Sequence, residues 1–192
     1  MIASRYGKQF TPEIHRMIMG RQALDCAQIM VQALDLPLTA EEHLQARNEL
    51  IFDMLPKAQP MLGALEMTQR FCSAGVPQAI ATSSAAMTFE MKTLHYQDWL
   101  TRFEVIVLGN DPEVKRSKPA PDSFLVAAQR LGADPCDCLV LEDSPAGIKA
   151  AKAAGMWAVA VPAAHMSRAL YGAADELLES LPMFDAARWG LV

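Results

Sequence analysis

A chain of 192 residues that is 52% hydrophobic and 20% charged can bury one full core, or a core with a small accessory domain. Its net charge of -5, with no basic stripe, argues against nucleic acid as a partner but leaves room for one small phosphorylated ligand. The longest apolar run, around residues 157–164, is too short to cross a bilayer, and residues 1–8 have no signal-peptide core, so a cytoplasmic protein off the membrane is expected.

Residues 11–55 read as purely helical. Leu24, Ala27, Val31 and Leu34 fall on one helix face, and Thr39 before Glu41-Glu42 marks an N-cap opening a second helix that ends near Pro56. From about residue 61 short apolar runs alternate with helical stretches. A helix over 62–72 stops at Gly75, and the run 78–81 follows. A helix over 85–95 leads to the strand-like run 104–108. The 122–131 helix stops at Gly132, ahead of a strand over 138–141. The 146–154 helix, with Gly155 beyond it, precedes the apolar run 157–161. Short buried strands alternating with helices predict an α/β fold, a parallel sheet with helices on both faces, in which ligands bind beyond the carboxyl ends of the strands. Cysteines 26, 72, 136 and 138 are expected to be reduced; Cys136 and Cys138 read as a strand entrance, with a metal clip as the rival.

Three strand ends carry chemistry. Ala81-Thr82-Ser83-Ser84 offers hydroxyl and backbone donors where a helix begins, an anion site or a plain N-cap. Lys118, in Ser117-Lys118-Pro119-Ala120-Pro121-Asp122, is either a cation fixed by a proline-stiffened turn or a solvated surface lysine. Glu142-Asp143 at the tip of a buried strand either awaits a divalent cation or opens a helix with Asp143 or Ser144 as its N-cap. Taken together they converge on one crevice, and phosphate donors, a cation and a metal-binding acid make a phosphoryl-transfer site.

At these positions the chain resembles the haloacid dehalogenase-like superfamily. Thr82 matches its second motif, Lys118 its third and Glu142-Asp143 its fourth. SKPAPD (117–122) and LEDSPAGIKAAKAAGM (141–156) are similar to the subgroup with a helical cap near the N-terminus, which includes β-phosphoglucomutase and many sugar-phosphate phosphatases. The resemblance implies a helical cap over 1–57 and a Rossmann-like core over 58–192, with Mg²⁺ as cofactor. It implies Thr82, Ser83 and Lys118 on the phosphate, Asp143 and Glu142 on the metal, and Arg21 of the cap on the substrate, a surface arginine being the alternative for Arg21. The implied activity is hydrolysis of a small phosphate monoester, a nucleotide or sugar phosphate, by a monomer or homodimer. A sugar-phosphate mutase shares the same core motifs.

One motif of the family is absent. Its Asp-x-Asp strand, which carries the nucleophile and the general acid/base, precedes the cap, and this chain opens where the cap is already under way. Asp53 in Ile51-Phe52-Asp53-Met54-Leu55 imitates it but is followed by Met-Leu-Pro, with no second Asp. The expectation is therefore a truncated chain, missing the first, central strand and inactive as it stands. A non-catalytic phosphate-binding protein is the rival from another class. The histidines at 15, 43, 95 and 165 match no motif position. The apolar tail 181–192 is expected on the sheet edge or at a dimer contact.

Overall fold

A computed structural model describes residues 2–191. The N-terminal third is helical: α1 (Ile2–Arg5), α2 (Pro12–Ile18), α3 (Ala23–Leu34) and α4 (Ala40–Ile51). The α3 boundaries follow the apolar spacing read in the sequence. In α4 the Thr39 side chain accepts from Glu42 N while the Glu42 carboxylate accepts from Thr39 N, a full capping box that satisfies two end donors at once. A short 3-10 stretch (Phe52–Lys57) containing Pro56 ends this region. Ala3, Ile14, Met30, Leu34 and Leu36 bury a cluster of their own here.

The rest alternates: α5 (Ala64–Ser73), β1 (Ala79–Ala81), α6 (Ala86–Lys92), α7 (Gln97–Leu100), β2 (Val105–Val107), α8 (Asp122–Leu131), β3 (Leu139–Glu142), α9 (Pro145–Ala153), β4 (Trp157–Ala160) and β5 (Glu176–Leu177). The helix expected over 85–95 is shorter. α6 ends with Thr93 as its C-cap, the Thr93 hydroxyl donating to Phe89 O at 2.8 Å, and α7 starts afresh. The two-residue β5 has no alternation to betray it in the sequence.

Strand pairing is parallel throughout, as expected, but the described strands form two sheets, β1-β2 and β3-β4-β5. Helices cover both faces of the larger one. Val140, Ala158 and Ala160 pack against Phe124 and Ala128 of α8 and Ile148 and Ala151 of α9. On the opposite face Leu139, Leu141 and Val159 meet Ala64 and Met67 of α5 and the tail residues Leu181, Phe184 and Trp189. The tail thus lies on the sheet, pinned where Glu176 accepts from Arg188 at 2.7 Å and from Trp189 Nε1 at 2.9 Å.

The break between the sheets has a definite form. Thr82 N donates to Val107 O and Glu104 N to Gln78 O, so even-numbered positions of β1 face β2, and Ala79 and Ala81 turn the other way. Trp157 N donates to Cys138 O and Val161 N to Glu142 O, so Leu139 and Leu141 likewise turn away from β4. These two outward edges border a slot of about 510 Å³ with apolar walls that include Phe71, Phe124, Ala127 and Met156.

Candidate active site

The carboxyl ends of β1 and β3, with Val161 just past β4 and Lys118 from the loop that follows β2, meet at a second cavity, of about 660 Å³, closed on its far side by α2, α3 and α4. Thr82, Ser83, Lys118, Glu142, Asp143 and Arg21, drawn from four separate stretches of sequence, all line it. Asp53 does not. It lies in a separate groove beside Glu41, Gln45 and Phe52, in keeping with its reading as a surface residue.

Lys118 is the centre of the arrangement and only 6% exposed. Its ammonium donates to Ala81 O at 3.1 Å and to Glu142 Oε1 at 2.5 Å, and lies 4.4 Å from the centre of the Phe124 ring. Glu142 is engaged on both oxygens, since Oε2 accepts from Ser144 N at 3.1 Å and Ser144 Oγ at 2.9 Å. Burial works against the Glu142 charge, but the Lys118 ammonium and the Ser144 donors outweigh it and hold the carboxyl below its ordinary range. Gly147 makes this possible: a Cβ there would stand 2.0 Å from Glu142 Cδ, so only a glycine lets the carboxylate lie against the start of α9. Ser144 is also the N-cap of α9, accepting from Gly147 N at 3.0 Å, which resolves the choice of N-cap left open between Asp143 and Ser144.

Asp143 is the counterpart. Its side chain opens onto the cavity, yet the surrounding protein desolvates it, and the neighbouring Glu142 charge adds to this; together they push its carboxyl above the ordinary range. Tyr171 donates its hydroxyl to Asp143 O at 2.6 Å and is pushed up to about 12, first by burial and then by the two carboxylates. On the β1 side, Thr82 Oγ1 accepts from Ser84 N at 3.1 Å, and Gly109 N donates to Ser84 O at 2.8 Å. A Cβ on Gly109 would stand 2.3 Å from Ser83 O, so the two loops touch through backbone. The helix that follows this loop, α6, has only seven residues.

The helical region is clamped to the strand ends by contacts that the sequence gave no sign of. Ser83 Oγ donates to Gly20 O at 2.9 Å, Gln22 Nε2 donates to Gly109 O, and Ser117 Oγ donates to Asp25. Gly20, at φ 77°, packs so closely on Ser144 that a Cβ would lie 2.2 Å from its hydroxyl oxygen. Arg47 of α4 and Lys92 of α6, which no motif marks, also line the cavity.

The family model for haloacid dehalogenase-like hydrolases matches residues 3–155. The chain belongs to this family. It is 39% identical over 194 residues to a probable pseudouridine-5'-phosphatase of Drosophila melanogaster, spanning 100% of this chain and 84% of that protein. It is 35% identical over 195 residues to (DL)-glycerol-3-phosphatase 1, mitochondrial, of Arabidopsis thaliana, where 99% of this chain spans 65% of the relative's length. The fold is shared with β-phosphoglucomutase from Clostridium difficile at a TM-score of 0.81 and 17% identity, over 99% of this chain and 85% of that one. Within the haloacid dehalogenase-like hydrolases the α/β, Rossmann-like architecture is thereby placed. No helix among the described residues is long and apolar enough to cross a membrane.

Proposed function

We propose that this cavity is the phosphate site of a phosphatase acting on a small phosphate monoester, a nucleotide or sugar phosphate with pseudouridine 5'-phosphate among the candidates. The observation that carries the reading is the buried Lys118 ammonium, fixed between Ala81 O and Glu142 at the edge of the Thr82–Ser84 loop. Lys118 supplies a charge already desolvated and oriented, and the Thr82 hydroxyl with the loop amides supplies further donors to phosphate oxygens. Residues 1–57 act as a cap over a core formed by 58–192, and Arg21 reaches the substrate from the cap side.

The family implies Mg²⁺. Two adjacent carboxylates at a strand tip, one of them raised in pKa by burial and by the charge of the other, fit a metal that takes one or two protein oxygens with phosphate and water. Asp143 would be the main ligand, because both oxygens of Glu142 are already engaged. Bound there, Mg²⁺ would neutralise phosphate charge and draw electron density from phosphorus. Glu142, paired with Asp143 by the resemblance, serves chiefly to hold Lys118.

The attacking group is a separate matter. Glu142 and Asp143 are the carboxylates lining the cavity, and neither is a free nucleophile in this reading. We assign attack to a carboxylate on a strand that the slot between β1 and β3 would accept, in the position where the family carries its Asp-x-Asp motif. Residues 1–192 alone are then expected to bind phosphate without turnover. One observation also favours a second reading, phosphate binding as the function itself: among the described residues the cavity lining includes Lys118 and Asp143, a cation and an acid that would hold a metal, but no carboxylate beyond Glu142 and Asp143.

The experiment is phosphatase activity with Mg²⁺ on pseudouridine 5'-phosphate, glycerol 3-phosphate and several sugar phosphates. It is run on residues 1–192 and on the longest chain the gene encodes. Release of phosphate by the longer chain alone supports the reading. Turnover by residues 1–192 sinks the assignment of the nucleophile, and tight phosphate binding with no turnover by either chain selects the second reading.

A further inference from the structure

Asp143 stands at the seam between a strand and a helix, and its neighbours on both sides are held by regular structure. Glu142 O accepts from Val161 N at 2.8 Å, closing the pairing of β3 with β4, and Ser144 O accepts from Ile148 N at 3.1 Å, opening the α9 ladder. Their side chains are fixed as well, Glu142 by Lys118 and Ser144, and Ser144 by Gly147 N. Asp143 O belongs to neither ladder. It accepts instead from the Tyr171 hydroxyl at 2.6 Å, across 28 residues of chain.

Tyr171 is firmly seated. It closes the 3-10 turn Arg168–Tyr171 beyond β4, is 2% exposed, and lies in the cluster built by Ile148 and Ala151 of α9 and Ala160 of β4. A buried phenol hydroxyl needs an acceptor, and any nearby carbonyl would satisfy it. Here the acceptor is the carbonyl between the two ladders. A residue has two soft backbone dihedrals. The sheet fixes the approach to Asp143 through Glu142, and the hydroxyl fixes the carbonyl that follows. Between them they set the direction in which the Asp143 side chain leaves the backbone, toward the cavity it lines.

We propose that Tyr171 is a positioning residue for the metal: by holding the Asp143 carbonyl it aims the Asp143 carboxylate at the cation. This rests on the metal-site reading, in which Asp143 is the main ligand. Mg²⁺ demands near-ideal octahedral oxygen geometry, so a ligand on a loosened backbone holds it less well. Phosphate binding does not pass through this contact, because Lys118 is fixed by Ala81 O and Glu142, and Thr82 by Ser84 N. The two affinities therefore separate.

The test uses Mn²⁺ as a paramagnetic probe that also takes oxygen ligands, its free fraction read by electron paramagnetic resonance and its displacement followed with MgCl₂. Tyr171→Phe is expected to weaken Mn²⁺ binding about tenfold, the low end of the loss when a metal ligand's hydrogen-bond partner is removed. Its affinity for inorganic phosphate in EDTA, measured by titration calorimetry, is expected to match the parent's. 4-Aminophenylalanine in place of Tyr171 keeps the ring and a donor and should restore Mn²⁺ binding. Ile148→Val opens a void in the same cluster, so it should lower the melting temperature and leave Mn²⁺ affinity unchanged. Parental Mn²⁺ affinity in Tyr171→Phe, an equal loss in Ile148→Val, a parallel loss of phosphate affinity, or no recovery with 4-aminophenylalanine overturns the inference and leaves the metal site standing. Mn²⁺ binding that is absent from the parent, or that survives Asp143→Asn at full strength, overturns the metal assignment with it.

Discussion

Replacing Gly147 by alanine separates two expectations of opposite sign. Gly147 lies inside α9, where alanine normally adds about 1 kcal/mol of stability over glycine. Here the added methyl carbon would come within 2.0–2.3 Å of the Glu142 carboxylate atoms. That carboxylate cannot swing aside freely, because Lys118 holds one oxygen and Ser144 the other. Displacing it breaks a buried ion pair whose side chains are 6% and 10% exposed, and leaving one partner of such a pair uncompensated costs about 3–5 kcal/mol. Set against the helix gain, the net loss is about 2–4 kcal/mol, or a fall of roughly 1–2 M in the urea midpoint for a chain of this size. Tryptophan fluorescence and far-ultraviolet circular dichroism follow the transition. In a Glu142→Ala background the clash has no object, so Gly147→Ala should there be neutral or stabilising, and the cycle isolates the coupling. A Gly147→Ala variant more stable than the parent would refute the account of how Lys118 is fixed.

His43 is buried on α4 with neither ring nitrogen hydrogen-bonded, and burial followed by the Arg47 charge lowers its pKa. The folded state therefore resists the proton that the unfolded chain accepts, so stability is full above the unfolded value of about 6.5 and falls as pH drops below it. Melting temperatures between pH 7.5 and 5.5 should show that slope, and His43→Met should flatten it. Asp143→Asn removes a charge that burial and Glu142 both disfavour, so it should raise the melting temperature in metal-free buffer and abolish the rise produced by MgCl₂. Glu176→Ala releases both Arg188 and Trp189 and should cost about 1–3 kcal/mol in urea unfolding, with the Trp189 emission shifting toward that of exposed indole.

What the sequence displayed and what it hid divide along a physical line. Strand runs such as 139–141 are covered on both faces and so are apolar, and helix ends such as Thr39 and Gly132 need particular residue types, so both are written locally. The convergence of Thr82, Lys118, Glu142 and Asp143 was legible for the same reason, since parallel topology sends every strand end to one side. Thr93 shows where locality fails. The apolar spacing continues past it, yet the backbone leaves the helix there, at φ -101° and ψ 8°. Gln22, Asp25, Arg47 and Lys92 were illegible because each gains its meaning from a neighbour tens of residues away.

The division also separates two functions of one residue. From its position beside Asp143, Glu142 reads as half of a metal pair; its contacts show that it also anchors Lys118. A buried lysine needs such an anchor to stay charged before a phosphate arrives, because desolvation would otherwise favour its neutral form. On the proposed reading, Lys118 would need neither recruitment nor reorientation when phosphate binds, because Ala81 O and Glu142 already hold it, and Asp143 would remain to face the metal.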